Sequence, residues 1–218
     1  TDRTVDVEAF LAAFDPARVA FAATIPVSQQ PLFTQSALPP LMMLVMSRDE
    51  QLFIKAYTDY TDLHAGEAGD TGAPNTTYDD TFAYTGYFGS SLCYSYSGGV
   101  FKADNAASGT NSHSCSSEWS GNFLNWVTMT RLDIVRSVLY GGLRSTDTAT
   151  KTVLERAAVP NDVHAWAKVY SGADISSLTP YSGTTSFCNA SYYTSGGRPD
   201  ANGPQLRVAS GDYSQWAA

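Results

Sequence analysis

The sequence predicts an α+β fold, irregular and rich in loops. Three observations predict it. One long amphipathic pattern, 119–142, reads as a helix, while apolar or aromatic runs at 41–46, 163–170 and 205–209 read as strands. Between them, 17 glycines and 10 prolines punctuate long polar stretches of the 218-residue chain. Charged residues make up only 16%, below the usual quarter, so Ser, Thr, Asn, Gly and 13 tyrosines carry the polarity.

Each element has its own reason. Val7, Phe10, Leu11, Phe14 and Val19 suit a short helix broken near Pro16. Pro26, Pro31, Pro39 and Pro40 then exclude regular helix, so 1–37 reads as an extended lead segment with that short helix, and 38–218 as a single domain. Leu41–Met46 is the leading strand candidate; Leu52–Tyr60 fits either a helix or a second strand. Gly66, Gly69, Gly72 and Pro74 make 64–77 a loop. From Thr81 to Tyr96 aromatic and small residues alternate, which suits strands with a stacking face, and 97–117 reads as a polar loop. Ser120 or Asn122 can cap the long helix, and Leu124, Val127, Leu132, Val135, Val138 and Leu139 form its buried stripe. Gly141 and Gly142 end it. Thr150–Ala158 reads as a second, shorter helix stopped by Pro160. Val163–Tyr170 and Gln205–Ala209 read as strands in an otherwise irregular C-terminal third.

Composition excludes some functions. The net charge is −8 and the 13 basic residues are scattered, which argues against nucleic acid, whose phosphates want clustered Lys and Arg. No apolar run is long enough to span a bilayer. The start, Thr1-Asp-Arg-Thr, has no charged-then-apolar signal pattern, as in a mature secreted chain or a cytosolic one. The low charge and the Tyr/Gly content suit an extracellular, loop-rich surface protein. Cys93 and Cys115 bracket a Gly/Ser/Asn-rich loop, and a disulfide between them would contribute about 3 kcal/mol. Cys188 is then left over, as a buried thiol or with a partner elsewhere. There is no C-x-x-C and no Cys/His cluster, so no metal or haem cofactor is expected. His64, His113 and His164 lie in unlike contexts without a G-x-S-x-G-type nucleophile, so no catalytic residue is assigned. Trp119 and Trp126 sit seven apart on the helix as core or interface anchors. Tyr84, Tyr87, Tyr94 and Tyr96 join them as interface candidates, because tyrosine makes large contacts at low entropy cost.

The literal strings add a resemblance. Trp119-Ser-Gly-Asn-Phe-Leu-Asn-Trp126 is similar to a segment of the PilY/PilC family of type IV pilus tip-associated and assembly proteins. Pro39-Pro-Leu-Met-Met-Leu-Val-Met46, Tyr84-Thr-Gly-Tyr-Phe-Gly-Ser, Cys93-Tyr-Ser-Tyr, Val153-Leu-Glu-Arg-Ala157, Pro160–Tyr170, Ser186-Phe-Cys-Asn189 and Arg207–Trp216 follow the family's order. The resemblance implies a partial or degenerate von Willebrand factor A-like region with long insertions, its β-propeller absent, so the domain at 38–218 would be PilY N-terminal-like and incomplete. In many relatives the first strand runs into a D-x-S-x-S metal motif. Here Ser47 stands at the carboxylate position and Asp49 and Gln51 at the hydroxyl positions, so no metal site of that type is expected. Asp62, Glu67 and Asp70 remain as oxygen donors of a loop that resembles a calcium loop, without its Asp-x-Asp-Gly spacing.

The implied function is assembly and adhesion by a secreted, pilus-associated protein or its N-terminal fragment, acting through protein contacts rather than as an enzyme. The implied partners are minor pilins or the pilus fibre, with a possible host or surface ligand. The alternative is a structural subunit or decorating component of an extracellular filament, pairing with copies of itself.

Overall fold

The computed structural model describes residues 43, 45, 49–159, 162–191, 193–194, 198–199 and 205–217. The chain divides into two units, Thr1–Met46 and Ser47–Ala218. The expected lead segment and its short helix, the Leu41–Met46 strand apart from Met43 and Val45, and Ser47 lie outside the described residues.

In the second unit, a 3-10 turn, Glu50–Phe53, comes first, with Asp49 capping it through the Gln51 N–H. Leu52–Tyr60 is otherwise neither helix nor strand beyond a single bridge at Lys55. Strands β1 (Leu92–Ser97) and β2 (Val100–Ala106) form an antiparallel hairpin, and β1 also pairs with the short β3 (Trp119–Ser120). Two helices follow, α1 (Gly121–Thr128) and α2 (Arg131–Tyr140). A second hairpin joins β4 (Arg144–Asp147) to β5 (Thr152–Leu154). Strand β7 (Thr185–Ala190) lies between β6 (Trp166–Tyr170) and β10 (Gln205–Ser210), antiparallel to both. A last pair, β8 (Tyr193–Thr194) and β9 (Arg198–Pro199), is also antiparallel. The architecture is therefore mixed α/β with small sheets. Every pairing among the described strands is antiparallel, so the parallel sheet of a von Willebrand factor A-like region is not seen among the described residues.

Five expectations need correction. Residues 81–91, expected as part of an aromatic strand pattern, form no strand, and the stretch read as irregular after Ser171 holds β7. The single helix at 119–140 is two helices. Residues 54–56 run alongside 129–131, with Ala56 N–H donating to Met129 O (2.9 Å) and Arg131 N–H to Ile54 O (3.1 Å). That pairing holds Met129 and Thr130 extended, and Thr130 starts α2 with a reciprocal capping box to Asp133. The supposed helix at 150–158 is half of a hairpin. Val153 and Leu154 fit either period, but the turn at Thr148–Lys151 closes the strand pair instead, through Thr148 N–H to Lys151 O and Lys151 N–H to Thr148 Oγ1. The polar loop at 97–117 contains β2. Gly98 and Gly99 both have positive φ, as a two-residue hairpin turn requires.

The core is aromatic. Phe123 of α1 lies fully buried against Tyr78, Trp126, Tyr170 and Phe187, with ring centroids 5.2–5.5 Å apart. Edge-to-face and tilted pairs of this kind add about 0.5–1.5 kcal/mol each to the area they bury. Tyr78 stacks on Tyr84 at 5.5 Å, and Trp119 bridges Phe101 to Phe187. Strand β7 is buried along its whole length although four of its six residues are Thr, Ser, Cys or Asn. Its polar side chains are satisfied: Ser186 Oγ donates to Gly211 O (2.7 Å), and Asn189 Nδ2 to Val127 O (2.9 Å).

Candidate functional site

Helix α1 organises everything around it. Its N-cap is Ser120, whose Oγ accepts from Phe123 N–H, and this releases Asn122 for a different task. Asn122 and Asn125 are both fully buried and one turn apart on the same face. Asn122 Oδ1 accepts from Tyr84 N–H (2.8 Å), and its amide donates to Phe82 O and the Tyr78 hydroxyl. Asn125 Oδ1 accepts from Phe88 N–H, and its amide donates to Tyr84 O (2.8 Å) and Phe88 O (2.7 Å). Two side-chain amides thus stand in for the strand that would otherwise pair the 82–88 loop. Gly86 is needed at the contact: a Cβ there would sit 2.1 Å from Asn125 Oδ1.

The Tyr-rich loop so anchored positions the far end of α2. Ser137 Oγ donates to Gly86 O, and the Tyr87 hydroxyl accepts from Leu143 N–H (3.2 Å). Gly141, in the left-handed region at φ 80°, ends the helix. On the β5 side, Glu155 N–H donates to Leu143 O (2.8 Å). Held from both sides, this end of the helix carries Val138 (72% exposed), Leu139, Tyr140 and Leu143 toward solvent. The buried stripe expected along 119–140 therefore stops at Leu132; Val138 and Leu139 are its exposed exceptions. A cluster of large apolar side chains facing water on a firmly held element is suited to a protein partner.

Three charged side chains are drawn into the same unit: Arg156 half-buried, Asp133 and Lys168 buried. Arg156 donates to Thr128 O (3.2 Å), to Asn189 Oδ1 and to Gln205 O, tying β5's exit to α1 and to the β7–β10 pair. Burial pushes its guanidinium down to about 10. Its partners are thus two main-chain carbonyls and one side-chain amide. Asp133, fully buried, accepts from Thr130 and from Ala157 N–H (2.8 Å). Lys168 is a buried cation. Its Nζ donates to Asp59 Oδ1 (2.8 Å) and sits 4.0 Å from the centre of the Trp126 ring. Burial pushes the amine down to about 7, against the opposing pull of Asp59.

The predicted site residues fall into distinct places. Cys93 and Cys115 form the disulfide, with Cα atoms 5.7 Å apart. Cys188 is a free thiol, buried on β7, and burial raises its pKa. Trp119, Trp126, Tyr84 and Tyr94 lie in the interior, where they contact this chain's own rings. Tyr87 is half-buried and serves the end of α2, while Tyr96, at 60% exposure, faces solvent. His64 bonds Glu67 (2.9 Å) and Asp79 (3.0 Å), which together hold its pKa above the ordinary value. His113 is buried against Asp80 O and Asn122, and His164 pairs with Asp162 and Glu50. In the 62–72 loop, Asp62 accepts from His64 N–H, and Asp70 from Gly66 and Gly72 N–H, so these oxygens cap the backbone turns. Among the described residues, no group of three or more His, Cys, Asp or Glu could hold a metal ion, and no helix is long and apolar enough to cross a membrane.

The asparagine pair and the Lys168–Asp59 contact were missed. The pair had a signal, since two Asn three apart on the apolar face of a helix are out of place unless something there needs a donor and an acceptor. The ion pair joins residues 109 apart in sequence and had none.

Residues 75–209, more than half of the chain, match the family model described as "PilY1 homolog, small alpha/beta domain". The chain belongs to the PilY1 homolog family. A type IV pilus biogenesis factor PilY1 homolog of Xylella fastidiosa (strain Temecula1 / ATCC 700964) is 41% identical over 145 residues, which cover 64% of this chain and 10% of that protein. A second protein of the same name from that strain is 36% identical over 92 residues, or 38% of this chain and 8% of its own length. The chain thus spans about a tenth of the length of the curated relatives it matches. No solved structure matches it.

Proposed function

We propose that this chain is a docking domain of a secreted type IV pilus biogenesis protein, working in pilus assembly and adhesion through protein contacts rather than chemistry. The observation that carries the reading is the exposed apolar end of α2, Val138, Leu139, Tyr140 and Leu143, on a domain whose relatives are named for pilus biogenesis. The Cys93–Cys115 disulfide supports export, because such bonds persist in oxidising compartments. The tethers from Tyr87, Ser137 and Glu155 support docking: a partner meeting a pre-ordered surface loses less entropy on binding. The partner we assign to this surface is a minor pilin or the pilus fibre. The experiment is retention of purified pili on the immobilised chain, comparing the natural sequence with a Val138→Ser, Leu139→Ser double variant. Retention by the natural sequence and its loss in the variant support the proposal. Equal retention by both removes the end of α2 from the interface.

A further inference from the structure

We propose that Lys168 and Asp59 are the two ends of a self-forming isopeptide bond that joins the Asp59 loop covalently to β6. The proposal stands apart from the pilus reading and rests on the geometry of one cluster. Lys168 Nζ lies 2.8 Å from Asp59 Oδ1, and the Lys168 side chain is 1% exposed. The Trp126 ring covers the amine at 4.0 Å, and Trp126 Nε1–H donates to the same Oδ1 at 2.9 Å. Lys55 Nζ stands 3.8 Å from the other oxygen, Oδ2. Asp59 has φ +63°, in the left-handed region that Asp enters more readily than most residues.

An amine and a carboxyl fixed this closely need no encounter step, and the amine is shielded from water. Burial favours the uncharged amine, which is the nucleophilic form. The Lys168 ammonium first passes one proton along the hydrogen bond to Asp59, leaving an amine and a carboxylic acid. The amine lone pair attacks Cγ, a C–N bond forms, and the carbonyl electrons move onto oxygen. The Trp126 N–H and the Lys55 ammonium are placed to hold the two carboxyl oxygens as charge develops there. The nitrogen then gives up a proton to the departing hydroxyl, the C–O bond breaks, and one water leaves. One ammonium and one carboxylate become one amide and one water; nothing is oxidised or reduced, and no co-reactant is required. A cavity of about 190 Å³, walled in part by Asp59, Trp126, Tyr57 and Tyr84, lies on the Asp59 side and gives the water an exit. The product replaces a buried ammonium and a half-buried carboxylate by a neutral amide, so the cost of burying the charged amine disappears.

The test is the intact mass of the whole folded chain, reduced to open the disulfide, followed over days near neutral pH. The expected result is a mass lower than the sequence mass by one water. Digestion should give a branched peptide in which the segment holding Asp59 is joined to the segment holding Lys168, uncut by trypsin after Lys168. Lys168→Met and Asp59→Ala should each restore the full mass. A folded natural chain that keeps its full mass and is cut after Lys168 overturns the proposal. So does a lost water found on a linear peptide. Both of these results are read on the natural sequence, so they stand even if a variant fails to fold.

Discussion

Asn125→Ala should unfold this domain more readily than any surface change. The side chain makes three hydrogen bonds, all to the main chain of the 84–88 loop: from Phe88 N–H (3.1 Å), to Tyr84 O (2.8 Å) and to Phe88 O (2.7 Å). Removing it strands one donor and two acceptors, and each buried orphan costs about 1–3 kcal/mol. The two bonds to Phe88 are only part-buried, and water can replace the partner there, which sets the sum near the low end, about 3 kcal/mol. Urea unfolding of the variant and the natural chain would measure it. Asn105→Ala is the control, since that amide reaches only Glu118 at 3.4–3.5 Å on the surface, and the change should stay within about 0.5 kcal/mol. If Asn125→Ala costs no more than Asn105→Ala, the asparagines do not hold the aromatic loop, and the account of α1 as its anchor fails.

Further outcomes follow from the same contacts. Reducing the Cys93–Cys115 bond, or changing both cysteines to Ser, should cost about 3 kcal/mol in urea, as expected for a link across 22 residues. Arg156→Met should cost about 3 kcal/mol by calorimetry, because Gln205 O, Thr128 O and Asn189 lose a part-buried charged donor together. Burial pushes Tyr57 and Tyr87 up to about 12, and Tyr78, Tyr84 and Tyr170 are raised further. The folded state therefore keeps protons that the unfolded chain releases above pH 10. The stability these phenols contribute is complete below pH 10 and is lost as pH climbs through 12. An absorbance titration should show these phenolates appearing together with loss of far-UV circular dichroism.

Much of the fold was legible where side-chain chemistry alone decides it. Ser120 and Gly141 mark the two ends of the helical region; of the expected strands, 163–170 forms over Trp166–Tyr170 and 205–209 over Gln205–Ser210. The loop at 64–77 follows from its glycines and Pro74. What sequence could not decide was set by partners distant along the chain. The break at Met129–Thr130 exists because 54–56 pairs there. Strand β7 hid in a Ser/Thr-rich stretch because its polarity is consumed by Gly211, Val127 and Arg156, none of them close by in sequence. Strand β2 lay in a stretch read as a polar loop, because its mostly exposed residues give no apolar alternation. At the site, the tyrosines were picked out by type. Type does not separate Tyr84, wholly interior, from Tyr96, which faces water, because burial depends on what Asn122 and Asn125 hold in place. The family resemblance rested on ordered blocks of sequence, and residues 75–209 carry it independently.

The central claim is that the chain meets a pilus protein through the exposed end of α2. Placing a photoreactive residue at position 139, in cells that assemble type IV pili, tests it most directly. The account predicts a light-dependent adduct with a pilin, absent when the photoreactive residue is moved to Lys151 in the exposed turn of the β4–β5 hairpin. Equal labelling at both positions, or an adduct only at 151, would contradict it.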